Sequence, residues 1–160
     1  MLDQERFEEF SSLISNVHGN IQKLKARYTT QLGLKSVHVS WLYLLRAHPE
    51  GMSASELAAA VQSNRSLISR EIDALFEKGV IYAQGSGDKR RYGWKLTLTS
   101  KGEQLADVIS AVAADVQDTV SRDISEEDLV TFYRTLKILA TGFDELNQNN
   151  NIQEVIDKWL

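Results

Sequence analysis

Cysteine is absent from the 160 residues, which rules out disulfides, thiolate zinc sites and thiol-based redox sensing, and the chain needs no oxidising compartment. Long apolar runs are missing too: the longest, Val39 to Leu45, is broken by Ser40 and far too short to span a bilayer. The opening residues, MLDQERFEEFSSLISNVHGN, are acidic where a secretory leader would be basic, so a soluble cytoplasmic protein with no membrane partner is expected. Histidine is sparse, and His18, His38 and His48 do not fall at ligand spacing, so neither a metal nor a cofactor is expected. The chain also lacks a phosphate loop, a paired nucleophile and base, and a Gly-x-Ser-x-Gly elbow, so no enzyme activity is expected.

An apolar share of 42% and a charged share of 25% describe an ordinary globular protein, of a length suited to one domain or a small domain with a helical extension. The net charge of −4 conceals an asymmetry. Ser53 to Lys101 holds eight Lys/Arg against five acids, a local +3, and the remainder carries −7. A local basic surface sets a local field whatever the overall sign, so the middle of the chain is where an anionic partner would bind.

Apolar residues recur at three and four positions from Leu2 to about Gln31 (Phe7, Phe10, Leu13, Ile14, Val17, Ile21, Leu24), the period of a long amphipathic helix that LGLK breaks at Gly33. Ser36 is the expected cap of a second helix, to about Ala47, which the only proline, Pro49, closes. SASE at Ser53–Glu56 is a capping box that opens a short third helix, about Ala54 to Val61. QSN separates it from a fourth, with Asn64 as candidate cap, Leu67, Ile68, Ile72, Leu75 and Phe76 as its buried stripe, and Gly79 as its terminator. The period then drops to two in VIYAQ and WKLTLT, where Trp94, Leu96 and Leu98 are expected on one face and Lys95, Thr97 and Thr99 on the other. Between them GSGDKRRYG makes a basic hairpin tip. A fifth helix follows to about Arg122, a sixth from the SEED cap at Ser125 to about Leu146, and a last one over Ile152–Leu160.

Helix, three-residue turn, helix and basic hairpin make a winged helix-turn-helix. An α-helix fits the major groove of B-DNA, where side chains on its first turns meet base edges while Lys and Arg hold phosphates. The expected fold is mainly α, with a small β-hairpin wing and long terminal helices forming a dimerisation bundle. In its fourth helix, Arg65, Ser66, Ser69 and Arg70 fall on or near the face opposite the apolar stripe.

The span Leu34 to Gly102 resembles the MarR (multiple antibiotic resistance regulator) family of bacterial transcription factors. The likeness rests on Leu57-Ala58, Arg65-Ser66, Ser69-Arg70, Asp73, Leu75, Glu77-Lys78-Gly79, Asp88-Lys89-Arg90 and Leu98-Thr99 with Gly102. It implies that Asn64, Arg65, Ser66, Ser69 and Arg70 serve the major groove and its phosphates. Lys89, Arg90 and Arg91 would approach the adjoining minor groove, with Asp88 bracing a wing arginine. The spacing from Asp88 to Leu98 exceeds the family's usual one, which leaves both Arg90 and Arg91 as the tip residue.

The resemblance further implies a homodimeric, sequence-specific repressor on a pseudopalindromic operator of double-stranded DNA, associated with the nucleoid and relieved by a small-molecule effector. The candidate effector groups are His18, Tyr28, His38, Trp41, Tyr43 and Arg46. Residues 1–35 and 103–160 would pair the chains as one intertwined unit, and residues 36–102 would hold the DNA. A winged helix used as a protein-interaction module without specific DNA binding is the other reading of the same residues.

Overall fold

Two glycines close two helices in the same way, and these closures bring the second and fourth helices into one core. The computed structural model describes residues 3–61, 65–84, 94–148, 151–158 and 160. Helix α1 (Asp3–Gln31) ends where Gly33 takes φ +68°, its N–H donating to the Thr30 carbonyl at 3.1 Å while the Leu34 N–H reaches the Thr29 carbonyl at 2.8 Å. Helix α4 (Arg65–Glu77) repeats the pattern at Gly79 (φ +65°), with Gly79 N–H on Phe76 and Val80 N–H on Leu75. Only glycine enters this left-handed region without a Cβ penalty, and in each case the apolar residue after it, Leu34 or Val80, is driven into the core.

Helix α2 spans Ser36–Ala47. Ser36 is its first helical residue and not its cap. Lys35 occupies the cap position: its N–H donates to Nδ1 of His38 at 3.2 Å, the part a carboxylate plays three residues into a capping box, and its carbonyl accepts the His38 N–H at 2.9 Å. Helix α3 (Ala54–Ala60) carries the expected capping box: Glu56 N–H donates to Ser53 Oγ at 3.2 Å, and Ser53 N–H donates to the Glu56 carboxylate at 2.6 Å.

Strands β1 (Ile81–Gln84) and β2 (Lys95–Leu98) pair antiparallel in the register Ile81 to Leu98 and Gln84 to Lys95. The expected alternation of β2 fails at Thr97, which is buried like Leu96 and Leu98. Its second face is covered because Met52 bridges Leu96 on the far edge, exchanging both backbone hydrogen bonds at 3.0 and 2.8 Å. Beside it Gly51, at φ +87°, lies so close to Lys95 and Thr97 that a Cβ there would sit 2.8 Å from the Lys95 Cβ.

Helix α5 (Ser100–Ser121) starts from Thr99, whose Oγ1 accepts the Gly102 N–H at 3.1 Å and donates to the Gly79 carbonyl at 2.7 Å. The chain divides into two compact units, Met1–Ala114 and Asp115–Leu160. In the first, Trp41, Leu42, Leu45, Leu57, Ile68, Leu75 and Ile109 are fully enclosed. The second holds the end of α5, α6 (Glu126–Gln148), capped by Ser125 through the Asp128 N–H at 3.1 Å, and α7 (Asn151–Asp157), shorter than the sequence predicts.

The terminal helices do not bury their apolar stripes. Phe7 on α1 is 59% exposed and Ile138 on α6 is 67% exposed, and no side chain of α6 is buried. No helix among the described residues is long and apolar enough to cross a membrane.

Candidate nucleic-acid interface

Helix α4 sorts its residues by the helical period. Ile68, Ile72 and Leu75 face the core, whereas Ser69 and Arg70 are exposed. Arg65 and Ser66 open the same helix, but their side chains lie outside the described residues, as do Asn64, Asp88, Lys89, Arg90 and Arg91 entirely. Of the predicted DNA contacts, the structure therefore gives side-chain positions for Ser69 and Arg70.

One acid sits on the buried stripe. Glu71, three residues after Ile68, is 6% exposed, and its two carboxylate oxygens are taken by different partners on α2 and its cap. Lys35 Nζ donates to Oε1 at 2.6 Å, and His38 Nε2 lies 2.9 Å from Oε2. Because His38 Nδ1 already accepts the Lys35 N–H, the ring proton belongs on Nε2, and the imidazole donates it to Glu71. The Lys35 ammonium holds the Glu71 carboxyl below its usual range, against the opposing effect of burial. Burial in turn holds His38 below its ordinary value, outweighing the pull of Glu71 toward the charged form.

These directions fix a pH dependence. An unfolded chain protonates His38 from its ordinary value of 6.5 downward while the folded chain resists. The unfolded state therefore binds more protons, and stability is lost as pH falls through that range. Glu71 adds a second loss below its ordinary 4.5, continuing toward its lower folded value. The urea midpoint is expected to fall between about pH 7.5 and about 5.5. The His38 part of that slope is expected to vanish in His38→Leu, whatever the variant's absolute stability.

Lys95, part of the basic stretch in the sequence, does not serve a free basic surface. Its Nζ lies 2.8 Å from the Glu56 carboxylate, which it and the Ser53 cap together lower to about 2. The pair ties β2 to the start of α3. Trp94 and Leu96 of the second strand segment, Ile68, Ser69, Ile72 and Phe76 of α4, and Ala54 and Ser55 of α3 line a crevice between the three elements.

The candidate effector groups scatter. His38 and Trp41 are fully buried, their rings 5.9 Å apart, and His38 is committed to Glu71. Arg46 pairs with Asp107 of α5 at 2.6 Å. Tyr28 and Tyr43 are close enough that Tyr43 adds to the effect of burial in raising the Tyr28 hydroxyl. His18 is exposed ten residues earlier on α1, about 15 Å along its axis from Tyr28 at 1.5 Å per residue. Among the described residues no group of three His, Asp or Glu side chains could hold a metal ion.

Sequence reasoning missed Lys35, Glu71 and Met52. Glu71 had a signal, a carboxylate at an apolar-stripe position of α4, but its partners stand 33 and 36 residues earlier.

These elements define a winged helix-turn-helix protein. No protein-family model matches the sequence. Among solved structures, the MarR family transcription regulator SP03579 superposes with a TM-score of 0.81 at 22% identity, over 91% of this chain and 95% of that one. A MarR family protein from Bacillus stearothermophilus gives 0.75 at 16% identity, over 90% and 99%. A complex of S. aureus MepR with DNA gives 0.69 at 19% identity, over 84% and 97%. The chain thus has the fold of the MarR-family regulators, the mainly helical winged helix with a small hairpin that its sequence predicts. In sequence it is similar to the HTH-type transcriptional regulator Rv1719 of Mycobacterium tuberculosis, 28% identical over 93 residues, or 54% of this chain. The chain spans only 36% of that protein's length.

Proposed function

We propose that the chain is a DNA-binding transcription regulator that acts as a homodimer on a pseudopalindromic site. The observation that carries this reading is α4 itself: a helix anchored by its apolar face, with Ser69 and Arg70 exposed, in a fold that MepR uses on DNA. The local +3 of Ser53–Lys101 supports phosphate contact, and Arg65, Lys89, Arg90 and Arg91 are its further candidates.

Pairing through residues 1–35 and 103–160 answers the uncovered stripes of α1 and α6, whose Phe7, Val17, Phe132 and Ile138 face solvent in the single chain. It would set two reading helices one DNA turn apart, at about 34 Å, while the acidic remainder stays off the phosphates. Repression relieved by a small effector, with Tyr28 and Tyr43 as described candidates, is the regulatory form this reading takes.

The test is a titration against the chain's own upstream DNA and a random duplex, at about 50 and about 200 mM salt. Upstream DNA is expected to bind at least about a thousandfold tighter, both affinities falling steeply with salt. Arg70→Ala is expected to weaken specific binding about tenfold, the low end for one lost groove contact. Equal affinity for the two duplexes rejects a sequence-specific regulator.

A further inference from the structure

We propose that the ring formed by Lys35, His38 and Glu71 sets the rotation of α4 about its own axis, so that Lys35 and Glu71 are positioning residues for DNA sequence discrimination. The inference rests on the DNA-binding reading above.

The ring is closed. The Lys35 N–H bonds His38 Nδ1, His38 Nε2–H bonds one Glu71 oxygen, and Lys35 Nζ bonds the other, at 3.2, 2.9 and 2.6 Å. It joins the first turn of α2 to the middle of α4, at the residue directly after Arg70. The other buried side chains described on α4, Ile68, Ile72 and Leu75, are apolar and non-directional, and such contacts tolerate a small roll. Two charge-assisted bonds on one carboxylate do not, because each weakens steeply with angle and distance. A roll of about 10° moves a side-chain tip about 6 Å from the helix axis by about 1 Å, enough to break a hydrogen bond to a base edge. Lys35 is an odd choice for a merely stabilising role: its side chain is 64% exposed, where an ion pair adds little to stability, yet it is drawn onto a buried acid.

The test compares full-length Lys35→Met, Lys35→Arg, Glu71→Gln and Ile72→Val by the ratio of affinities for upstream DNA over a random duplex, at one salt concentration. Lys35→Met keeps the apolar stem and is expected to lower the ratio about tenfold, the worth of one misaligned base contact. Lys35→Arg restores it. Glu71→Gln lowers it with no cation lost, which separates positioning from direct phosphate contact by Lys35, and the double variant is no worse than either single one. Ile72→Val loosens the core without touching the ring and keeps the wild-type ratio. The proposal is overturned if Lys35→Met weakens both duplexes equally, if Glu71→Gln leaves the ratio unchanged, or if Ile72→Val lowers it as much. Wild-type protein that binds both duplexes alike overturns the DNA-binding reading and this inference together, whereas a discriminating wild type with unchanged variants overturns this inference alone.

Discussion

Trp41→Ala is expected to destabilise the protein by about 3–5 kcal/mol, the range for truncating a buried aromatic. Trp41 is the largest fully enclosed side chain, sits midway along α2, and packs its ring 5.9 Å from His38, at a tilt of 57°. Its removal leaves a cavity beneath the helix whose first turn carries the Glu71 ring, so local collapse would pull Lys35 and His38 from their partner. Whole-domain stabilities are themselves about 5–15 kcal/mol, and a loss of this size should lower the melting temperature by about 10 °C or more at fixed protein concentration. Trp41→Phe is the informative companion. The indole N–H meets no acceptor among the described residues, so replacing it by a phenyl edge gives up volume without giving up a hydrogen bond. A Trp41→Ala variant that melts within about 3 °C of wild type would contradict the packing described for α2.

Gly102→Ala comes next, with an expected loss of about 3 kcal/mol although alanine is the better helix former by about 1 kcal/mol. An added Cβ would stand 2.2 Å from the Val80 carbonyl oxygen and 3.2 Å from the Leu98 Cβ. The carbonyl cannot step aside, because it accepts both the Thr99 N–H at 3.0 Å and the Thr99 hydroxyl at 3.1 Å. Chemical denaturation gives the sign directly: a stabilised Gly102→Ala would mean that α5 does not approach the Val80 carbonyl this closely.

Where the sequence was legible, the signal was local. The Ser53–Glu56 box, the helix break at Gly33, the left-handed Gly79 and the Ser125 cap each depend on residues within one turn, and each forms as read. Ser36 misled because the cap falls one residue earlier, at Lys35, whose own N–H is taken by the His38 ring once the fold has oriented it. Thr97 misled because period-two reading assumes one wet face, and Gly51 with Met52 dries it. The Glu71 ring was illegible in its partners for the same reason: charge pairing across more than thirty residues leaves no periodic mark. The basic stretch was legible in composition but not in use, since Lys95 turns to Glu56.

The Met52 bridge has a consequence for what the hairpin does among crowded copies of itself. A two-stranded ribbon normally offers two rows of unsatisfied amides and carbonyls to any passing strand. Here Met52 takes the N–H and C=O of Leu96 in mid-strand, flanked by Lys95, so β2 presents no run of free backbone long enough to template a foreign chain. Among the described residues, sheet growth is left to the far side of β1, a single short edge.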